Sequence, residues 1–492
     1  MRSVFRPSSF VSIIIAVYLV IGTLYAVKTP AWQVPDEPAH YNYVRYIAEG
    51  RGLPVLQQGD YDQDYLERIK AAKFPSSMPI DSIRYEFWQP PLYYILAAPI
   101  YLATGGSLLA LRLFSVVLGG LVVVFAFLIV RQLAPDSPVL ALGTAAFVAF
   151  VPQHVAMMAG AQNDGLAELL LVVVVFQISN LKSQISHGKW ITAGILLGLG
   201  LMTKGTIYVA VPLVAVAIWL SWRSRLVTPA LVAPRRCGAS MNHQAESPQP
   251  AQASSMRTVH FPSPSQPDDS SSDNTRWTWL IKTGALVFIP ALIIALPLWI
   301  RNIIVYGWPD FLVSIRHDAV VVGQPTPAEW VSRFGWGEYL RQFVVTTFHS
   351  FWGQFGWMGV PMNDRYYTIL ALAALAAFIG LAWYANADFQ VLNIKRRFGV
   401  PDLRFEVWIL MFWVLFAVMT YIGYNVKYVQ FQGRYLFPAL IPIGLAFTIG
   451  LRQWTKLLPR IWRGVALAAP FVGLVVLDLI ALFRMIVPML SP

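Results

Sequence analysis

The chain has 492 residues, 57% of them apolar and only 13% charged. Soluble domains carry about 25% charged residues, so the composition excludes an ordinary soluble enzyme and describes a membrane protein. The net charge of +12 does not mark a nucleic-acid binder, because the basic residues fall in short segments between apolar runs rather than in a stripe.

The first apolar run, Val11–Ala26, follows Arg2 and Arg6. A signal peptide has the same layout. No convincing small-x-small site follows, and the remainder is membrane-like, so the run reads as an uncleaved first span leading out of the cytoplasm. A long polar loop follows, from Val27 to about Gln89. It is rich in Asp, Glu, Tyr and Pro and too long for a simple connection. Pro91–Thr104 is apolar but has only 14 residues, about 21 Å of helix. That is short for a crossing. If it lies in the interface or re-enters, the later basic loops fall inside; if it crosses, they all flip outside. The positive-inside rule favours the first arrangement.

On that basis spans two to six are Leu108–Val130, Val139–Met157, Gly165–Ser179, Trp190–Met202 and Thr206–Leu220. Residues 235–275 are dense in Ser, Pro and Gln, cannot bury enough apolar surface to fold, and read as a disordered cytoplasmic linker. Cys237, the single cysteine, falls within it, so no intramolecular disulfide is possible. Spans seven to eleven are Trp277–Ile300, Tyr366–Tyr384, Val407–Tyr424, Tyr435–Leu451 and Val465–Phe483. A second external loop spans 301–365, and its segment Phe343–Val360 is aromatic enough to lie against the membrane. The expectation is an all-α polytopic membrane protein of about eleven helices with two large extracytoplasmic loops. It comprises an N-terminal membrane module, 1–234, carrying loop 27–106, the linker 235–275, and a C-terminal module, 276–492. No internal repeat is visible, which counts against the inverted-repeat transporter plan.

The sharpest chemical signal is Pro35-Asp36-Glu37-Pro38-Ala39-His40-Tyr41, just outside span one. The segment Pro38–Gly50 reads as an amphipathic helix with Ala39, Tyr43, Tyr46 and Ile47 on one face and Asn42, Arg45 and Glu49 on another. One acidic residue at its start would simply cap the helix. A second needs another reason: Asp36 suits a general base that takes a proton from an acceptor hydroxyl, with Glu37 beside it tuning its charge or making a further contact. In Glu86-Phe87-Trp88-Gln89-Pro90-Pro91-Leu92-Tyr93-Tyr94, the aromatics suit an interfacial anchor. Glu86 is less easily explained, and with Asp36 and His40 it is a candidate oxygen-and-nitrogen site for a divalent metal, although no ligand spacing rule is met.

Further polar groups stand at external span ends: Asn163-Asp164, Thr203-Lys204, Arg301-Asn302 and Gln432-Gly433-Arg434-Tyr435. A charge at the membrane boundary is costly and points to function by default. Snorkelling to the headgroups would explain Lys204 and Arg434. Both would equally suit a lipid-linked phosphate.

These motifs resemble those of GT-C-type membrane glycosyltransferases, in the branch of glycosyltransferase family 39 that includes protein O-mannosyltransferases and aminoarabinose transferases, and of their uncharacterised bacterial relatives. The resemblance rests on Asp36-Glu37, Pro90-Pro91-Leu92-Tyr93-Tyr94 after Glu86, and Asn163-Asp164. Phe351-Trp352-Gly353-Gln354-Phe355-Gly356-Trp357 and Gln432-Gly433-Arg434-Tyr435 point more to the uncharacterised relatives. It implies a polyprenyl-phosphate sugar donor, inverting transfer to an unspecified protein, lipid or polysaccharide acceptor, and an active site on the outer face of a bacterial plasma membrane. It maps the base to Asp36 and a second acidic residue to Asp164. Asp36, Glu37 and Asp164 are thus the catalytic candidates. His40, Glu86, Asn163, Lys204, Arg301, Arg434 and Tyr435 are the candidates for substrate binding. A rival reading from a different class is a transporter or flippase for a lipid-linked sugar, in which the same charges bind without chemistry.

Overall fold

The computed structural model describes residues 7–179, 187–227, 269–397 and 404–491. The linker expected at 235–275, including Cys237, lies almost wholly outside them. The chain enters through α1 (Pro7–Lys28), followed by two short helices of the first loop, α2 (Glu37–Ala48) and α3 (Gln63–Ala71). The apolar helix α4 (Leu92–Ala103) packs on α2. With 12 residues it spans about 18 Å, well short of the hydrocarbon core.

The bundle proper continues with α5 (Leu108–Leu133), α6 (Pro138–Phe150), α7 (Pro152–Met158), α8 (Asp164–Ser179), α9 (His187–Leu201) and α10 (Ala210–Val227). Its second half holds α11 (Asp269–Tyr306), α12 (Ser314–Val320), α13 (Pro327–Trp352), α14 (Asp364–Arg397), α15 (Arg404–Lys427), α16 (Leu440–Thr455), α17 (Arg460–Ile480) and α18 (Val487–Leu490). Between α13 and α14 a two-residue antiparallel ladder pairs Gln354–Phe355 with Val360–Pro361.

Local chemistry explains several boundaries. Ser107 caps α5 by accepting from the Ala110 amide, and Asp62 caps α3 through the Tyr65 amide. Thr326 and Glu329 form a reciprocal capping box at α13, with Pro327 in the first turn. Close helix contacts depend on glycine. A Cβ on Gly450 would stand 1.9 Å from the Ala377 carbonyl, and one on Gly380 would stand 2.0 Å from the Gly450 carbonyl. Backbones of α14 and α16 therefore meet directly, the small-residue packing usual in lipid.

Among the described residues, eight helices are long and apolar enough to cross a membrane, and nine if α6 and α7 count as one span. The span expected over Val139–Met157 is in fact broken and bent by 63°. Pro152 has no amide hydrogen to continue the ladder and holds Val151 in an extended conformation. The segment Phe343–Val360 also differs from expectation. Its Phe351, Trp352 and Phe355 are buried, and Trp352 packs edge-on against Phe147 at 5.8 Å. The aromatic cluster fills the bundle core rather than resting on lipid. Asn42, placed on the polar face of the loop helix, is buried and donates to the carbonyls of Ile80 and Ile83.

Candidate active site

The two acidic residues at the start of α2 diverge completely. Asp36 is the N-cap, yet its φ of 67° is left-handed and its side chain caps nothing. Asp tolerates that backbone better than most residues. Its carboxylate is thus free to turn into a cavity of about 470 Å³. There Tyr85 donates to Oδ1 at 2.8 Å, and Arg434 donates to Oδ2 at 3.0 Å.

Glu37 turns the other way and is fully buried. Arg112 grips it with two parallel bonds of 2.7 Å, and the amides of Trp32 and Ala161 donate to it as well. Arg112 also donates to the carbonyls of Ala26, Thr29 and Pro30, at the end of α1. The pair ties α1, α2 and α5 together and does not line the cavity. The expectation that Glu37 stands beside Asp36 in the site is therefore corrected: Glu37 is the acidic residue with the structural reason, and Asp36 is the one that reaches the cavity.

A second ion pair lies on the same cavity. Lys204, between α9 and the turn Gly205–Val209, donates to Asp164 Oδ1 at 2.6 Å. Asp164 opens α8. Arg434 and Tyr435 come from the 3₁₀ turn Gly433–Ala439 ahead of α16. That turn sits tightly against α13, since a Cβ on Gly433 would stand 2.2 Å from the Thr347 carbonyl. Asp36, His40, Glu86, Asp164, Lys204, Arg434 and Tyr435 all line the cavity.

Electrostatics divide the loop residues. Burial would raise the Asp36 pKa, but the adjacent Arg434 guanidinium outweighs it and holds the carboxyl below its ordinary value. Burial, with the charge of Lys204, pushes His40 down to about 3, so this ring is neutral. Its Nδ1 lies 2.8 Å from the Tyr94 hydroxyl. Glu86 behaves oppositely: burial, then the negative charge of Asp36, pushes it up to about 7. One of its carboxyl oxygens is buried without a partner.

Three further expectations are corrected. Asn163 is fully buried, does not line the cavity, and donates to the Thr203 carbonyl at 3.1 Å; it ties the start of α8 to the end of α9. Arg301 also stands off the cavity. It donates to the Pro54 carbonyl at 2.6 Å, pinning the first loop to α11. Finally, among the described residues no three His, Cys, Asp or Glu side chains are grouped to hold a metal ion. Asp36, His40 and Glu86 are therefore not a ligand set.

Residues not taken as site candidates from the sequence also line the cavity. Tyr85 holds Asp36. Trp88 packs against His317 at 4.7 Å, and both line the cavity. Glu168 faces it from α8, backed by the buried His154 at 3.1 Å. Glu168 follows Asp164 by four residues, a spacing that places both on one helix face.

Comparison with known proteins agrees with this architecture. Residues 88–233 match the family described as dolichyl-phosphate-mannose-protein mannosyltransferase. The fold is similar to that of ArnT from Cupriavidus metallidurans. The structure bound to undecaprenyl phosphate aligns with 14% identity and a TM-score of 0.50, covering 98% of this chain and 74% of that one. The apo structure aligns over the same shares with 13% identity and a TM-score of 0.51. The apo oligosaccharyltransferase of Archaeoglobus fulgidus aligns with 12% identity and a TM-score of 0.49, over 98% of this chain and 55% of that one. No curated protein is similar enough in sequence to count as a match. The family match covers part of the chain and the likeness to ArnT is one of fold; both agree with the resemblance carried by the motifs.

Proposed function

We propose that this protein is an inverting glycosyltransferase that moves a sugar from a polyprenyl-phosphate-linked donor to a polar acceptor on the extracytoplasmic face of a bacterial plasma membrane. The observation that carries the reading is the pairing of Asp36 with Arg434 and of Asp164 with Lys204 on one cavity. A base and two cations suitable for a phosphate lie within a single enclosure. Both expected membrane modules, 1–234 and 276–492, furnish its walls. Undecaprenyl phosphate bound to a protein of similar fold supports a lipid-phosphate donor.

In this mechanism Asp36, ionised at neutral pH, accepts the proton of an acceptor hydroxyl as that oxygen attacks the anomeric carbon. The phosphate leaves from the opposite face of the sugar. Lys204 and Arg434 receive its developing charge, and donors fixed in place before reaction are often the largest catalytic term. Arg434 serves both partners. A phosphate that draws the guanidinium toward itself removes the charge that keeps Asp36 weakly basic, so donor binding strengthens the base.

The test uses purified protein in lipid with a panel of labelled polyprenyl-phosphate sugars, comparing wild type with Asp36→Asn. Sugar release to any acceptor, water included, is expected from wild type and about 10²–10⁴-fold slower in the variant. Tight donor binding by both, with release by neither, would replace this reading with the transporter or flippase.

A further inference from the structure

Asp164, Ala167, Glu168 and Leu171 of α8 all face the cavity. They form one stripe, at spacings of three and four. Asp164 holds Lys204 at the loop end. Glu168 lies about 6 Å further along the helix, and Leu171 continues the stripe as an apolar surface. The wall thus passes from charged to apolar, as a phosphate joined to a hydrocarbon chain requires. A bare carboxylate there would repel the phosphate.

His154 removes that conflict. It is fully buried, its Nδ1 lies 2.8 Å from the Val148 carbonyl, and its Nε2 lies 3.1 Å from Glu168 Oε2. The carbonyl only accepts, so Nδ1 carries a hydrogen. A neutral ring of that tautomer would set the Nε2 lone pair against a carboxylate lone pair. One more proton therefore lies between His154 and Glu168, on the ring or on the carboxyl. Phe437 closes the remaining side, edge-on to the ring at 5.3 Å. Tyr18 of α1 feels the charge of Glu168, and Asp164 of α8 itself, Lys204, and Arg434 and Tyr435 from the 3₁₀ turn are titratable or charged groups on the same cavity.

We propose that the His154–Glu168 pair is the acid that protonates the departing lipid phosphate. The inference rests on the transferase reading above. As the acceptor oxygen bonds to the anomeric carbon, the bond from that carbon to the phosphate oxygen breaks. The acceptor proton passes to Asp36. The shared proton passes through Glu168 to the phosphate, which leaves as a monoanion, and the pair is left one proton poorer. Proton exchange with water then resets both sites. Glu168 touches the phosphate, and His154 positions and recharges it.

Phosphorus NMR of undecaprenyl phosphate added to the protein in nanodiscs tests this without turnover. At pH 8 a free phosphate monoester is a dianion, its second pKa being about 6. The wild type is expected to hold it as the monoanion, and Glu168→Gln as the dianion, with both proteins unfolding at similar temperatures. In turnover at pH 8, Glu168→Gln is expected to lose about 100-fold in kcat with donor KM little changed. A dianion in the wild type overturns the proposal even if the variant fails to fold. Absence of any bound lipid signal in the wild type overturns the donor assignment itself, and this inference with it.

Discussion

Arg434 Nη2 donates to Asp36 Oδ2 at 3.0 Å, joining residues 398 positions apart in sequence. The contact brings the loop after α1 against the turn before α16, so the shape of the cavity depends on both halves of the chain. Its buried Nε has no partner of its own, leaving a donor available to a ligand. Arg434→Gln should therefore raise the donor KM and lower kcat, reducing kcat/KM by about 100-fold or more, as for loss of a charged group at a developing phosphate. Arg434→Lys should restore little, because an ammonium cannot serve two partners in a planar fork. Steady-state kinetics over a donor series decide this. An unchanged donor KM in Arg434→Gln would confine Arg434 to holding Asp36.

The Glu37–Arg112 pair makes a separate prediction about stability. Both side chains are at most 4% exposed. Removing one member of such a pair leaves a buried charge and typically costs about 3–5 kcal/mol. Arg112→Met should be worse than Glu37→Gln, since it also orphans the carbonyls of Ala26, Thr29 and Pro30. Thermal unfolding in detergent should show both losses. The donor affinity of any Glu37→Gln that remains folded should stay near normal, because Glu37 does not reach the cavity. A Glu37→Gln protein of native stability that has lost turnover would return Glu37 to the catalytic set.

Glu86 should leave a signature in the pH dependence of stability. Its folded pKa, pushed up to about 7 from 4.5 by burial and by Asp36, means that the folded state binds a proton the unfolded state has already released. Stability attributable to Glu86 is thus highest below about pH 4.5, falls as pH rises toward 7, and stays low above it. Glu86→Gln should remove that slope and raise the unfolding temperature more at pH 8 than at pH 5. An equal effect at both values would mean that Glu86 ionises normally.

Several residues of the candidate site were legible in the sequence because membrane-boundary charge is rare enough to be informative. Asp36, Asp164, Lys204 and Arg434 stood out on that ground and share one cavity. The pairings among them were not legible. They depend on how α2, α8 and the turn before α16 meet, which no local pattern records. Glu37 and Asp36 are adjacent and chemically alike, yet one carboxylate is buried against Arg112 and the other lines the cavity, a division no sequence pattern records. Arg301 and Asn163 sit at span ends as polar site residues would, yet neither lines the cavity: Arg301 holds the Pro54 carbonyl and Asn302, and Asn163 holds the Thr203 carbonyl and Gln89. The break between α6 and α7 was foreshadowed by Pro152, but an unbroken apolar run concealed it. Glu168 was overlooked because it lies inside a span, although its spacing from Asp164 was on view.

The Lys204–Asp164 pair allows a positioning role of Asp164 to be separated from a direct contact with sugar or acceptor. If Asp164 acts only by placing Lys204, the two residues work as a unit. Asp164→Asn and Lys204→Met should then each reduce kcat/KM by similar factors, and the double variant should be little worse than either, the non-additivity expected of contacting residues. Lys204→Met should in addition weaken binding of undecaprenyl phosphate, whereas Asp164→Asn, which leaves the ammonium without its carboxylate partner, should bind that lipid as tightly as wild type or tighter. Equilibrium binding in nanodiscs and steady-state kinetics on the four proteins complete the cycle. Fully additive losses, with weakened lipid binding confined to Lys204→Met, would instead show that Asp164 meets the sugar or the acceptor directly.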